Sequence, residues 1–397
     1  MAFSPNVEQL QPSATIAVST LAKRLVAEGR DVIDLSAGEP DFDTPAWISQ
    51  AAVDGIRAGK TRYTPAPGIP ELRKAIARTL SDRAGRELPW EGVVVTCGAK
   101  QALFNACFTL FGPGDEVLVA TPYWTSHPEI VTLARAEPVP VRGAEEREFR
   151  LTPDDLEAAA TGRTRGLIYS SPSNPTGAVY TAEELQAVAE WARDRDVWLI
   201  ADEIYRLICF DGDGEAAGLL ELPPSSVGPF VLVDGASKCF AMTGWRVGFA
   251  WTEPEVAAKL SALQSHTTSN ASTPSQVAAL AAYGDPERTG RDVARMREAF
   301  RRRRDLVVGL FDELLPGLGY GSPWGAFYLF FRVDAAFGDG RECTATEFCS
   351  WLLEEAGVAL VPGAAFGDDR WARMSFAAAD EVLERGVRRI AEALGRT

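Results

Sequence analysis

Lys238 and Arg246 stand eight residues apart, in Ser237-Lys238 and Met242-Thr243-Gly244-Trp245-Arg246, and they are the residues of this sequence with the most obvious chemistry. A buried lysine beside a cation loses pKa and becomes nucleophilic, which suits imine formation with a carbonyl group. Arg246 offers a fork of donors that can clamp a phosphate. Asp202 closes the apolar run Val197–Ala201. A carboxylate at the end of a buried strand is costly unless paired. It is either a helix cap or the partner of a protonated pyridine nitrogen, which would keep such a ring an electron sink. Tyr205, three residues further on, could reach the same ligand's phenolic oxygen. Asn174 sits in Ser173-Asn174-Pro175-Thr176-Gly177, which also reads as a plain tight turn. Trp124, after Thr121-Pro122-Tyr123, is either a core aromatic or a flat surface for a ring.

These residues share a position relative to the elements around them. Val93–Thr96, Glu116–Ala120, Leu167–Ser170, Val197–Ala201 and Val231–Asp234 read as strands. They lack clean alternation, as expected of strands buried on both faces of a mostly parallel sheet. Lys100–Leu110 and Ala182–Arg193 carry helical periodicity between them, so right-handed βαβ units and a helix-covered sheet follow. Ligands of open α/β sheets bind beyond the carboxyl ends of the strands. Gly98-Ala99-Lys100-Gln101, Tyr123-Trp124, the Asn174 loop, Asp202 to Tyr205 and Ser237-Lys238 all fall there. Together they supply a phosphate cup, an aromatic face, an amide, a carboxylate and a lysine. From about Asp285 the pattern changes to one long amphipathic helix, Arg291 to Leu315, whose run Arg301–Arg304 reads as a solvated face. A smaller α+β region follows, with strand signals at Ala326–Phe331 and Val358–Val361.

Composition narrows the alternatives. A chain of 397 residues suits two closely packed domains. The net charge of −15 argues against non-specific binding to nucleic acid or an anionic membrane. No apolar run approaches a membrane span, and the first thirty residues lack a secretory apolar core, so a cytoplasmic location is expected. Six cysteines without a CxxC pair suggest reduced, mostly buried thiols and no zinc site. With only His127 and His266, a histidine-based triad or multi-histidine metal site is nearly excluded. No Gly-x-Gly-x-x-Gly follows the first strand, which counts against a nicotinamide dehydrogenase.

The ordered motifs resemble the fold-type I pyridoxal-phosphate aminotransferases, in particular the bacterial aspartate aminotransferase branch with its prephenate-active members. They are Pro12-Ser13-Ala14-Thr15, Asp34 to Phe42, Tyr63-Thr64-Pro65, Gly68 to Arg73, Gly98 to Asn105, Pro172 to Gly177, Asp202 to Tyr205, Ser237-Lys238 and Ala241 to Arg246. Gly325 to Tyr328, Pro362-Gly363 and Arg373 to Phe376 complete the series. The resemblance implies an α/β fold: a large domain with a mostly parallel, seven-stranded-type sheet covered by helices, and a smaller α+β domain. It divides the chain into residues 1–45 (arm and part of the small domain), 46–285 (large domain) and 286–397 (small domain).

Position by position, the resemblance implies that Lys238 carries pyridoxal 5'-phosphate as a Schiff base and later serves as general base. Asp202 would pair with the pyridine nitrogen, Tyr205 and Asn174 would hold the phenolic oxygen, and Trp124 would stack on the ring. Gly98, Ala99, Lys100, Ser237 and Arg246 would surround the phosphate at a helix N-terminus. Tyr63 would reach the cofactor of a neighbouring subunit, which implies a homodimer with shared active sites. Arg373, whose bland reading is a surface ion pair, would bind the substrate α-carboxylate with help from Gly38. An L-amino acid and a 2-oxo acid would then exchange an amino group with ping-pong kinetics. Ser13, Thr15 and Lys100 resemble residues that handle a distal carboxylate, pointing to aspartate with 2-oxoglutarate, while aromatic or broad specificity stays open. Gln11 stands where prephenate-active relatives usually carry Lys or Arg, which argues against prephenate; Asn270 also departs from the family pattern. A lyase on the same scaffold and a non-catalytic ligand-binding module are the rival readings; Arg373 and the intact aspartate-branch motifs count against the first, and intact Lys238 and Asp202 against the second.

Overall fold

The computed structural model describes residues 3–8, 10, 12, 14–337 and 343–396. Its strands are β1 (Ile33–Asp34), β2 (Val93–Thr96), β3 (Glu116–Thr121), β4 (Glu137–Arg142), β5 (Thr164–Ser170) and β6 (Trp198–Asp202). They continue with β7 (Phe230–Gly235), β8 (Gly248–Trp251), β9 (Tyr328–Arg332), β10 (Val358–Ala359), β11 (Val361–Pro362) and β12 (Trp371–Ser375). Seven of these form one sheet in the order β2-β8-β7-β6-β5-β3-β4, parallel except for β8, which runs antiparallel to both neighbours.

The sheet is buried on both faces, and alternate residues of each strand feed opposite cores. Val117, Val119, Ile168, Ile200, Val231 and Val233 pack with Ala102, Leu103 and Ala106 of the helix Ala99–Leu110. Leu118, Leu167, Tyr169, Leu199 and Ala201 pack on the other face with Leu185, Val188 and Ala189 of the helix Ala182–Asp194. Because both faces need apolar side chains, these strands show no polar alternation in sequence. The five strands expected from sequence are present in this sheet, and β5 begins three residues before Leu167. The edge strand β4 escaped that reading because Pro138 and Pro140 interrupt it, and proline is tolerated only where no ladder hydrogen bond is needed on that side.

A second sheet, β11-β12-β9, is antiparallel, and the pair β1-β10 is parallel, so Ile33 and Asp34 near the N-terminus dock on the C-terminal region. The strand expected at Val358–Val361 is two short strands that join different sheets. The long helix runs Pro286–Leu314, starting five residues before Arg291. Asp285 accepts from the Arg288 amide (3.0 Å) and Pro286 fits the first turn, so the helix starts at its cap and not at its first apolar residue. Val293 enters the core beneath the large sheet, whereas Met296, Phe300, Val307 and Phe311 enter the core of the smaller sheet. One rigid element is thus anchored in both.

The run Arg301–Arg304 is not a uniform solvated face. Arg303 is buried and bonds Asp41 with both terminal nitrogens (2.8 Å each), while its Nε faces Asp380 (3.4 Å). A helix turns about 100° per residue, so four consecutive arginines cannot all point outward. Arg301 and Arg302 remain exposed. No helix among the described residues is long and apolar enough to cross a membrane.

Candidate active site

The strand ends converge on one cavity of about 620 Å³. The turn after β2 brings Ala99 and Lys100 to its wall, and the turn after β3 brings Trp124. Asn174 follows β5, Asp202 ends β6, and Tyr205 lies in the turn beyond it. Ser237 and Lys238 lie on the short helix Ala236–Cys239 directly after β7. Arg246 precedes β8, Gly38 follows β1, and Arg373 is the central residue of β12. Residues more than three hundred positions apart therefore line one space.

Lys238 Nζ donates to the Gly38 carbonyl (2.5 Å). Burial lowers its pKa to about 8, with Arg373 and Arg246 adding to the effect and Glu39 and Asp202 opposing it. Such an amine reaches its neutral, nucleophilic form far more readily than an exposed lysine. Asp202 is buried, and its Oδ2 lies 3.1 Å from His127 Nε2. An ionised carboxylate can only accept, so that pairing places a proton on Nε2. The Ile204 amide donates to Oδ1 (3.3 Å). Tyr205 shares a hydroxyl–hydroxyl hydrogen bond with Tyr328 (2.7 Å), and burial pushes the pKa of both phenols up.

Arg373 is 1% exposed. Its terminal nitrogens donate to Asn174 Oδ1 (2.9 Å) and the Ser36 carbonyl (2.8 Å), its Cζ lies over the Tyr328 ring, 4.3 Å from the ring centre, and its buried Nε has no partner among the described residues. The alternative of a surface ion pair does not describe Arg373, which is buried. Lys100 Nζ lies 4.8 Å above the Trp124 ring, and burial together with Arg246 lowers its pKa.

At the other end Gly98 precedes the helix Ala99–Leu110 with φ +80, and no side chain caps that N-terminus. A Cβ on Gly98 would approach Arg246 Nη2 to 2.6 Å, so only glycine leaves the backbone amides and the guanidinium open to a common anion. The donor set fits pyridoxal 5'-phosphate: an anion cradle at Gly98, Ala99, Ser237 and Arg246, a reactive amine, a buried carboxylate and an aromatic surface.

His127 and Tyr328 escaped sequence reasoning. His127 was notable there only for the scarcity of histidine, yet it supports Asp202 and touches Trp124 edge-on (5.5 Å). Its spacing of three from Trp124 was the available signal. Tyr328 lay inside a recognised motif without an assigned partner. Tyr63 is not part of this cavity; it is 91% exposed. Gln11 and Ser13 lie outside the described residues, as does the side chain of Thr15. Asn270 is bonded to the Ala271 carbonyl (2.7 Å) and does not line the cavity.

The fold and site define a fold-type I, pyridoxal-phosphate-dependent transferase of amino groups. The family model for aminotransferase class I and II matches residues 30–390, and the chain belongs to that family. It is 42% identical over 392 residues to the aspartate aminotransferase of Geobacillus stearothermophilus, covering 98% of each chain. It is 41% identical to the aspartate/prephenate aminotransferase of Thermus thermophilus, covering 99% of each. The solved Thermus thermophilus aspartate aminotransferase with maleate superposes with a TM-score of 0.92 at 39% identity, covering 99% of this chain and 100% of that one.

Proposed function

We propose that the chain transfers the amino group of aspartate to 2-oxoglutarate, with Arg373 taking the α-carboxylate and Lys100 the distal one. One observation carries this reading: two cations, the buried Arg373 and the solvent-exposed Lys100, face a single cavity that also holds the Lys238 amine. A substrate with two carboxylates meets both cations, whereas a monocarboxylate meets only Arg373. The names of the relatives above point the same way.

When bound, the cofactor supplies a protonated pyridine ring that absorbs the charge left as Cα loses its proton. Asp202, fixed by His127 Nε2–H, would hold the proton on the ring nitrogen. Tyr205 and Asn174 would serve the phenolic oxygen, Trp124 the ring face, and Gly98, Ala99, Lys100, Ser237 and Arg246 the phosphate. Once displaced by substrate, the Lys238 amine would take the proton from Cα and return it to the cofactor, an exchange for which a pKa near 8 is well matched. Arg373, held by the Ser36 carbonyl, and Gly38, which accepts from Lys238 Nζ, line the same cavity and would together orient Cα toward that amine.

We further propose a homodimer in the cytoplasm, divided at residues 45 and 285 into the arm, the large and the small domain. The exposure of Tyr63 supports the dimer, since a residue outside its own cavity is available to a partner's. An amino-donor screen with 2-oxoglutarate and oxaloacetate as acceptors tests the specificity. Aspartate and glutamate should lead, and Lys100→Met should depress them more than it depresses monocarboxylic donors. A wild-type profile led by aromatic donors would overturn the assignment.

A further inference from the structure

A second cavity, of about 290 Å³, lies on the other side of the segment that carries Lys238. Its walls come from the helix Pro70–Ala84, from Arg206, from β7 at Asp234, from Cys239, and from the start of the long helix at Gly290, Val293 and Arg297. Cys239 is the chain neighbour of Lys238, yet only Lys238 lines the catalytic cavity and only Cys239 lines this one.

The polar groups of this cavity are incompletely used. Arg206 is 5% exposed; Nη1 is paired with Glu215, but the buried Nε–H has no acceptor among the described residues. A buried guanidinium donor left unmatched is costly, and such groups are normally satisfied by protein, water or ligand. Asp234 accepts from the Gly235 amide (2.6 Å) and from no side chain among the described residues. Of the other charged groups lining the cavity, Arg83 pairs with Glu203 and Glu221, Arg297 donates to the Gly214 carbonyl, and Asp213 accepts from the Glu215 amide. The lining also includes the apolar side chains Ile76, Leu80, Phe249 and Val293.

We propose that this cavity is a second ligand site, for an α-amino acid with an apolar side chain. Its carboxylate would accept from Arg206 Nε–H, its ammonium would pair with Asp234, and its side chain would lie against Phe249 and Val293. A carboxylate alone leaves Asp234 without a side-chain partner, and an amine alone leaves the Arg206 Nε–H without an acceptor. The zwitterion answers both, and 290 Å³ admits an aromatic side chain.

Equilibrium dialysis of the holoenzyme tests this with α-methyl-L-phenylalanine, which has no Cα proton and cannot be turned over. Saturating succinate occupies the catalytic cavity on the dicarboxylate reading above. One equivalent per chain should remain bound, and 3-phenylpropanoate and phenethylamine should each bind at least tenfold more weakly. Gly290→Leu adds a side chain where a Cβ meets nothing within 4 Å, on an exposed turn of helix, so it should fold normally and block the mouth. It should abolish the succinate-resistant equivalent while leaving transamination intact; Asp234→Asn should weaken binding at least tenfold. No retained equivalent in the wild type, or one that survives both substitutions, overturns the site. Loss of transamination specificity for dicarboxylates would instead count against the catalytic reading alone.

Discussion

His127 Nε2 lies 3.1 Å from Asp202 Oδ2, with both side chains almost wholly withdrawn from solvent. The histidine is supplied by the helix Ser126–Leu133 after β3, and the aspartate ends β6, so two different crossovers meet at one hydrogen bond. On the proposed role of Asp202, His127→Leu should weaken cofactor retention by about 1.5–3 kcal/mol, the worth of a hydrogen bond to a charged group. Dialysis of the variant against cofactor-free buffer measures it. Retention equal to wild type would reduce the pair to packing.

Lys238→Ala should abolish both covalent cofactor attachment and turnover, because Lys238 is the amine that donates to Gly38 in the cavity and burial lowers its pKa to about 8. The visible absorbance of the purified protein and a single-turnover assay report the two losses separately. A coloured, active variant would remove Lys238 from the centre of the site.

The same lysine sets a pH dependence. Its pKa lies below that of an ordinary lysine, so the neutral amine is populated as pH rises through about 8, not through the value near 10.5 of a free side chain. Covalent capture of the cofactor by the apoenzyme should therefore accelerate up to about pH 8 and then level off. A rate still climbing tenfold per pH unit at pH 10 would contradict this.

Arg373→Leu should raise KM for every α-carboxylate substrate alike and lower kcat/KM by about 2–5 kcal/mol, the usual range for truncating one partner of a buried charged pair. The partners it already holds, Asn174 Oδ1 and the Ser36 carbonyl, keep it oriented before substrate arrives. Steady-state kinetics with a dicarboxylic and a monocarboxylic donor check this, and an unchanged KM would refute it.

Arg303→Met should destabilise the fold by about 1–3 kcal/mol, a figure reduced because Asp41 and Asp380 keep some contact with water. Arg302→Met, which removes an exposed bond to the same Asp380, should change stability by less than about 1 kcal/mol. Urea denaturation midpoints of the two variants should differ accordingly, and equal shifts would mean that burial of Arg303 carries no weight.

Much of this protein was written locally. Strands such as Val93–Thr96 and Phe230–Gly235 are apolar runs bounded by turns, and the groups just past them, Lys238, Asp202, Asn174 and Trp124, followed from where α/β sheets bind ligands. Local pattern could not reveal β4, whose prolines disguise an edge strand, nor which of four consecutive arginines turns inward. It also could not pair His127 with Asp202, Tyr205 with Tyr328, or Arg373 with Asn174 and Ser36, since separations of 75, 123, 199 and 337 residues leave no periodic trace. The sequence by itself determined the residue types at the strand ends, and with them the chemistry available. Tertiary structure decided their protonation and orientation, because burial and the nearest partner set the pKa of Lys238 and the proton position on His127, and both depend on elements that meet only when the chain is folded.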